Sequence, residues 1–401
     1  MRTFLLVFVF MTILLPISVA GRFCPINQTI AQAADNNPCA PPNQITGSYE
    51  ETAWKLFVAA TCPVNSDQYP YVVWENWIEQ SQMFPADPEN GLKVPSSLAR
   101  LNMNTHALHG SPLTLSKSPG LLTKVFGQMG GADQDCNKAA APPGNEPDVV
   151  ICEEVRENGP DQDYIAGDGL WNRPGQVQAA FSKGGIHFPA PAIEIKADWI
   201  ELSTIGYDCG NLPPSLTSTV HVETINGNCY ALAGFNLMSK LLGQWLWATW
   251  EPQNTSTNPN RCEVLGCTDL FGSNPPRTNG ANTQLTRVLA NLENQANLAP
   301  EFRNYRLDGV QTTFLVNNGA PTLLGNSIVE GENGGVPLTQ SSCITCHAVS
   351  SIKSDGTDGI TLLNSNPVGI PAALPSKDWT RRDFTWSLSE ACPNSPFQPC
   401  D

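Results

Sequence analysis

The chain has 401 residues, 41% of them hydrophobic and 15% charged, enough apolar material for a sizeable core. Acids outnumber bases 37 to 22, and the formal charge of -15 counts against nucleic acid or an anionic membrane as the main partner. Thirteen cysteines argue against a reducing compartment.

The N-terminus has the pattern of a secretory signal peptide over residues 1–20. Arg2 supplies the positive end, Phe4 to Leu15 is an apolar run, Pro16 breaks it, and Ser18-Val19-Ala20 is a small-residue cleavage site. The run is shorter than the ~20 residues that span a bilayer, and no later segment is long and apolar enough to do so. A soluble mature chain, periplasmic or secreted, with no membrane span, is the expectation.

Residues 21–330 read as one body. Trp54, Phe57 and Val58 have helical spacing, as do Val73, Trp77 and Ile78, which predicts two short helices. Ala192 to Leu202 alternates, with Ile193, Ile195, Ala197 and Trp199 on one face, and Val220-His221-Val222 continues in that style. Gln244 to Glu251 places Trp245, Trp247 and Thr249 on one face and Leu246, Ala248 and Trp250 on the other. The pattern predicts antiparallel strands with both faces partly covered. Leu285 to Leu298 has the period of a helix, and Tyr305 to Val316 that of a strand. The fold class is α+β, a mostly antiparallel sheet with a few helices. Residues 331–401 form a loop-rich segment packed on that body.

One motif carries chemistry. Cys343-Ile344-Thr345-Cys346-His347 is a C-x-x-C-H, the attachment signature of c-type haem. On a helical turn the two thiols share a face and reach two vinyl groups, and His347 follows as the proximal iron ligand. This composition gives roughly 0.005 chance matches to the motif. A redox disulfide needs a thioredoxin-like βαβ context, and a zinc site a second Cys/His pair; neither surrounds the motif.

Eleven further cysteines remain, an odd number. Pairing neighbours gives 24–39, 136–152, 209–229, 262–267 and 392–400, with Cys62 left over, although sequence does not fix connectivity. No Met or His follows His347, so the distal iron ligand is unknown. Candidates are His106, His109, His187, His221, Met83, Met103, Met129 and Met238. His187 and His221 read as surface residues and Met238 as core. The acids Asp168, Asp198, Glu153 and Glu154 show no spacing that demands acid–base work, so catalytic residues are unknown.

Several stretches, Ala53 to Ala59, Ala192 to Trp199, Gln244 to Glu251, Pro321 to Ser327 and Gln340 to Ala348, together resemble exported bacterial cytochrome c-like proteins. The resemblance implies haem and export and supplies no substrate. That pattern often places a histidine at the position of Asn236 and another near Pro252; this chain has neither. Three functions fit the sequence. The first is a monohaem c-type cytochrome, with one covalent haem c, that transfers electrons to a redox partner, a basic one suiting the acidic surface. The second is a haem-dependent oxidoreductase with an open or weakly ligated iron, acting on peroxide or a small organic molecule. The third is a haem-free, disulfide-stapled binding protein.

Overall fold

The computed structural model describes residues 37–64, 71–84, 137–139, 149–225, 228–252, 283–326, 340–363 and 368–391. All of these except Asn37 belong to one compact unit, Pro38–Asp401. The expected signal peptide lies outside the described residues, as do Met103, His106, His109 and Met129.

Helix α1 (Tyr49–Thr61) starts at Ser48, whose side chain accepts the Glu51 N–H at 3.1 Å. Glu50 and Glu51 occupy its first turn, where the helix dipole favours acids. Apart from Thr52, Lys55 and Thr61 the rest is alanine and large apolar residues, and Trp54, Leu56, Phe57 and Val58 are all buried.

The main sheet has eight strands. In chain order they are β1 (Ile78–Glu79), β2 (Asn137–Ala139), β3 (Val149–Glu157), β4 (Ile193–Glu201), β5 (Val222–Ile225), β6 (Asn228–Ser239), β7 (Leu246–Pro252) and β8 (Tyr305–Gln311). The spatial order is β8-β7-β6-β4-β3-β1, with β2 also pairing β3 and β5 also pairing β6. Every pairing is antiparallel, and the body is α+β as the alternation predicted.

The two faces of this sheet differ. One carries Ile195, Ala197, Trp199, Phe235, Leu237, Trp250 and Leu307 and packs under α1. There Phe57 stacks on Trp250 at 4.9 Å and meets Phe235 edge-on at 5.5 Å. The other face mixes charge with apolar bulk: Glu153, Glu157, Glu194, Lys196, Asp198, Asn236, Met238, Trp247 and Gln311. It is buried too, beneath α2 (Gly159–Asp168), α3 (Arg173–Ser182) and the C-terminal segment. The helix expected near 285–298 is α4 (Thr283–Gln295).

The C-terminal segment is bolted to α3. Arg173 donates to the carbonyls of Ala391 at 2.8 Å and Ser389 at 2.7 Å, and pairs with Asp358 at 2.9 Å. Gln176 donates to the Leu388 carbonyl at 2.8 Å. Among the described residues, no helix is long and apolar enough to cross a membrane.

Three expectations change. Val73, Trp77 and Ile78 do not share a helix: Val73–Asn76 is a 3-10 turn and Ile78 begins β1. The Glu75 carboxylate accepts the Val72 N–H at 2.8 Å, which tightens the turn, and Ile78 is claimed by Glu157 across the ladder. Cys62 is not the leftover thiol: it bridges to Cys39, because the end of α1 returns beside the arm that precedes it. This displaces the 24–39 pairing, while 209–229 is present. Cys152 is also disulfide-bonded. Cys24, Cys136, Cys262, Cys267, Cys392 and Cys400 lie outside the described residues. His221 is 6% exposed rather than on a solvent face, since Phe302 and Trp199 pack against its ring.

Candidate functional site

The motif folds as a single helical turn, α5 (Cys343–His347). Its start is held by the sheet. The Ser342 side chain makes no cap bond to the helix backbone. Gln311, at the end of β8, fills that role: its carboxamide oxygen accepts the Ile344 N–H at 2.9 Å, and its nitrogen donates to Ser342 Oγ at 2.8 Å. Thr345 Oγ1 donates to the Gly369 carbonyl at 2.7 Å.

The turn divides the motif by burial. Ile344 and Thr345 are inside, whereas Cys343, Cys346 and His347 are partly exposed. Positions i, i+3 and i+4 of a helix share one side, so both sulfurs and the imidazole lie together. Cys343 Sγ lies 3.4 Å from the Leu324 carbonyl.

His347 is fixed from two directions. Its Nδ1 lies 2.9 Å from the Phe384 carbonyl, which can only accept, so Nδ1 carries the proton and Nε2 the lone pair. The Trp247 ring packs on it at 4.6 Å. Burial pushes the imidazole down to about 4, so it is uncharged at neutral pH. That is the protonation state and tautomer of a metal-ligating histidine.

The Phe384 carbonyl is aimed by unusual backbone. Trp245, Asp383 and Phe384 have φ of 61°, 51° and 73°, and they account for three of the four described non-glycine residues with positive φ. Such conformations persist only when surrounding contacts enforce them. Here Asp383 accepts the Phe188 N–H at 2.8 Å and pairs with Lys240 at 2.6 Å, and its carbonyl accepts from Trp245 Nε1 at 2.8 Å.

A cross-strand row leads away from this point along the covered sheet face. Gln311 stands opposite Trp247, Trp247 opposite Met238, Met238 opposite Glu194, and Glu194 opposite Glu157. Glu157, with Asp161 of α2, is fully buried, and neither carboxylate has a hydrogen-bond partner. Burial first, then Glu194 and other nearby acids, pushes both well above the ordinary carboxylate range. Glu194 is raised to about 7 by burial, although Ser387 donates to it at 2.9 Å. These acids were not among the sequence candidates, because their burial depends on segments distant in the chain.

Of the candidate distal ligands, His187 is exposed and its backbone N–H is bound by the Tyr164 hydroxyl at 2.7 Å. His221 belongs to a separate cluster of acids. Met83 and Met238 are buried in the same core cluster as Ile344, beside Cys343. Asp198, Glu153 and Glu154 are buried, and Asp168 pairs with Lys183 at 2.9 Å near the surface. No family model, curated protein or solved structure matches the chain.

Proposed function

We propose that this chain is an exported monohaem c-type cytochrome, periplasmic or secreted, whose function is electron transfer. Cys343 and Cys346 would form the two thioethers and His347 would ligate the iron. The observation that carries the reading is the single turn that sets two thiols and one imidazole on a common partly exposed side, with Nδ1 committed to the Phe384 carbonyl.

The donor set fits haem c in type, tautomer and surroundings. When bound, the group supplies one-electron redox chemistry. The chain's part is to hold and shield it. Gln311 fixes the turn, Phe384 orients the imidazole, and Trp247, Phe314 and Phe384 supply aromatic surface around the site. The acidic surface suits a basic redox partner.

A second reading has its own support. The buried acids Glu157, Asp161 and Glu194 sit in or beside the row that passes through Trp247, and an electron carrier has no need of them. They favour an oxidoreductase in which a haem held by Cys343, Cys346 and His347 would supply an open or weakly ligated iron for peroxide or a small organic molecule, and these carboxylates would hold protons within the covered sheet face.

The test is the absorption spectrum of the full chain matured in an exporting, haem-attaching host, ferric and reduced, with and without carbon monoxide. Covalent haem with a ferrous spectrum unchanged by carbon monoxide supports electron transfer. Covalent haem that shifts with carbon monoxide supports the oxidoreductase. A haem-free product beside a matured control cytochrome sinks both and leaves a disulfide-stapled binding protein.

A further inference from the structure

His221 lies on a different part of the molecule from the C-x-x-C-H turn, and three carboxylates converge on it. Its Nε2 is 2.7 Å from Glu75 Oε1 and 3.4 Å from Glu223 Oε1, and its Nδ1 is 4.0 Å from Glu301 Oε1. One ligand atom each from Glu75, His221 and Glu223 lies within 4.8 Å of the others. We infer that Glu75, His221 and Glu223 form a binding site for a divalent first-row transition-metal ion.

The donors already converge, and the 2.7 Å hydrogen bond from Nε2 to Glu75 Oε1 has to open by a few tenths of an ångström to admit an ion. The imidazole cannot swing, because Phe302 packs on it at 4.6 Å and Trp199 at 5.8 Å. Its backbone is pinned as well, with the carbonyl accepting the Leu232 N–H at 2.9 Å. Only the two ring nitrogens face polar groups. Glu301 on the Nδ1 side is the outer carboxylate that commonly orients a ligating histidine, leaving Nε2 for the ion. Bonds of about 2.0–2.2 Å give ligand-to-ligand edges of roughly 3.0–3.4 Å, close to the Nε2 to Glu223 separation.

The chemistry selects the ion. One imidazole nitrogen with carboxylate oxygens suits zinc, manganese or ferrous iron and disfavours an all-oxygen calcium site. Binding replaces the Nε2 proton by the ion and releases that proton. Without an ion, His221 Nε2 is hydrogen-bonded to Glu75 Oε1. The carboxylates of Glu75 and Glu223 converge there, a crowding that a divalent ion offsets.

The ion would have a structural role. Glu75 comes from the 3-10 turn Val73–Asn76, Glu223 from β5, and His221 from the residue just before it, 146 positions from Glu75. A bound ion would cross-link the N-terminal part of the body to the sheet edge.

The test uses the full chain without a polyhistidine tag, stripped with EDTA and dialysed. Metal content other than haem iron, calorimetric titration with Zn²⁺ and Mn²⁺, and melting curves are measured. One equivalent of Zn²⁺ or Mn²⁺ per chain, with a raised melting temperature, is expected. Glu223→Gln, at a partly exposed position, should keep the far-ultraviolet spectrum and lose at least 10-fold in affinity, and His221→Gln should abolish binding. No saturable binding of either ion to the wild-type chain, or binding unchanged in Glu223→Gln, overturns the proposal and leaves His221 as a buried histidine hydrogen-bonded to Glu75.

Discussion

The Gln311 carboxamide oxygen accepts the Ile344 N–H at 2.9 Å, so the last residue of a sheet strand caps the helical turn that carries both thiols. The same side chain donates to Ser342 Oγ, Thr322 Oγ1 and the Thr322 carbonyl. Gln311→Leu removes the acceptor of the buried Ile344 N–H, while Ser342 Oγ keeps Thr345 Oγ1 and Thr322 Oγ1 keeps the Thr313 carbonyl. A loss of about 1–3 kcal/mol in denaturant unfolding is expected. Gln311→Glu, which retains the acceptor, should lose less. Equal losses in the two variants would show that the Ile344 bond matters little.

Asp383 is the strut behind His347. Asp383→Ala removes the acceptor for Phe188 N–H and strands Lys240, whose ion pair is largely buried. A destabilisation of roughly 3 kcal/mol follows from breaking such a pair. The left-handed turn over Asp383 and Phe384 should then relax and release the His347 ring. Nitrogen-resolved NMR of the imidazole in the chain without attached haem reads this directly. A retained Nδ1 proton with unchanged shift would contradict the role given to the turn.

The buried acids set the pH dependence. For Glu194 the folded pKa of about 7 lies above the ordinary 4.5, so the folded state holds the proton more tightly. Its contribution is therefore complete below about pH 4.5 and lost as pH rises through 7. Glu157 and Asp161 shift in the same direction. Glu157, Asp161, Glu79, Glu153 and Lys196 are the charges that face this group from the neighbouring strands and α2. Asp358 acts oppositely: burial would raise it, but Arg382 and Arg173 hold it below its ordinary 3.8, so its support is lost only in stronger acid. Melting temperature should peak near pH 4–5 and fall towards pH 8. Glu194→Gln should flatten the fall by on the order of 3 kcal/mol. A wild-type protein more stable at pH 8 than at pH 5 would contradict this assignment.

The Cys39–Cys62 bridge closes a separation of 23 residues and ties the arm to the end of α1. The paired change Cys39→Ser with Cys62→Ser should cost about 3 kcal/mol. Wild type treated with reductant should move towards the same midpoint. A variant as stable as wild type would mean that the buried face of α1 holds the arm by itself.

Legibility in the sequence followed the range of the cause. The alternation of Ile193, Ile195, Ala197 and Trp199 marked a true core face, because each residue answers to the pleat of its own strand. Trp247 and Trp250 fell on opposite faces for the same reason. The C-x-x-C-H spacing likewise marked a helical turn. What failed depended on distant chain. Glu194 stands out in no sequence pattern, because Ser387, which donates to it, lies 193 residues on. His221 looked exposed until Glu75 and Phe302 closed over it. Cys62 seemed unpaired because its partner precedes a whole helix rather than sitting beside it in sequence. The apolar spacing of Val73 and Trp77 marked residues that are partly buried against the core, but four residues of 3-10 turn and a ladder partner place them there instead of a helix.

The contacts of His347 also fix a calendar for the molecule. Trp247 emerges 100 positions before it, but the Phe384 carbonyl arrives 37 positions after it, and Arg173 then fastens residues up to Ala391. If the chain is delivered N-to-C across a membrane, as the proposed function requires, the motif would be outside before its clasp exists. For that interval both thiols and the imidazole would be on unfolded chain, open to an enzyme that reads a short linear segment. The clasp would close last, over whatever had been attached.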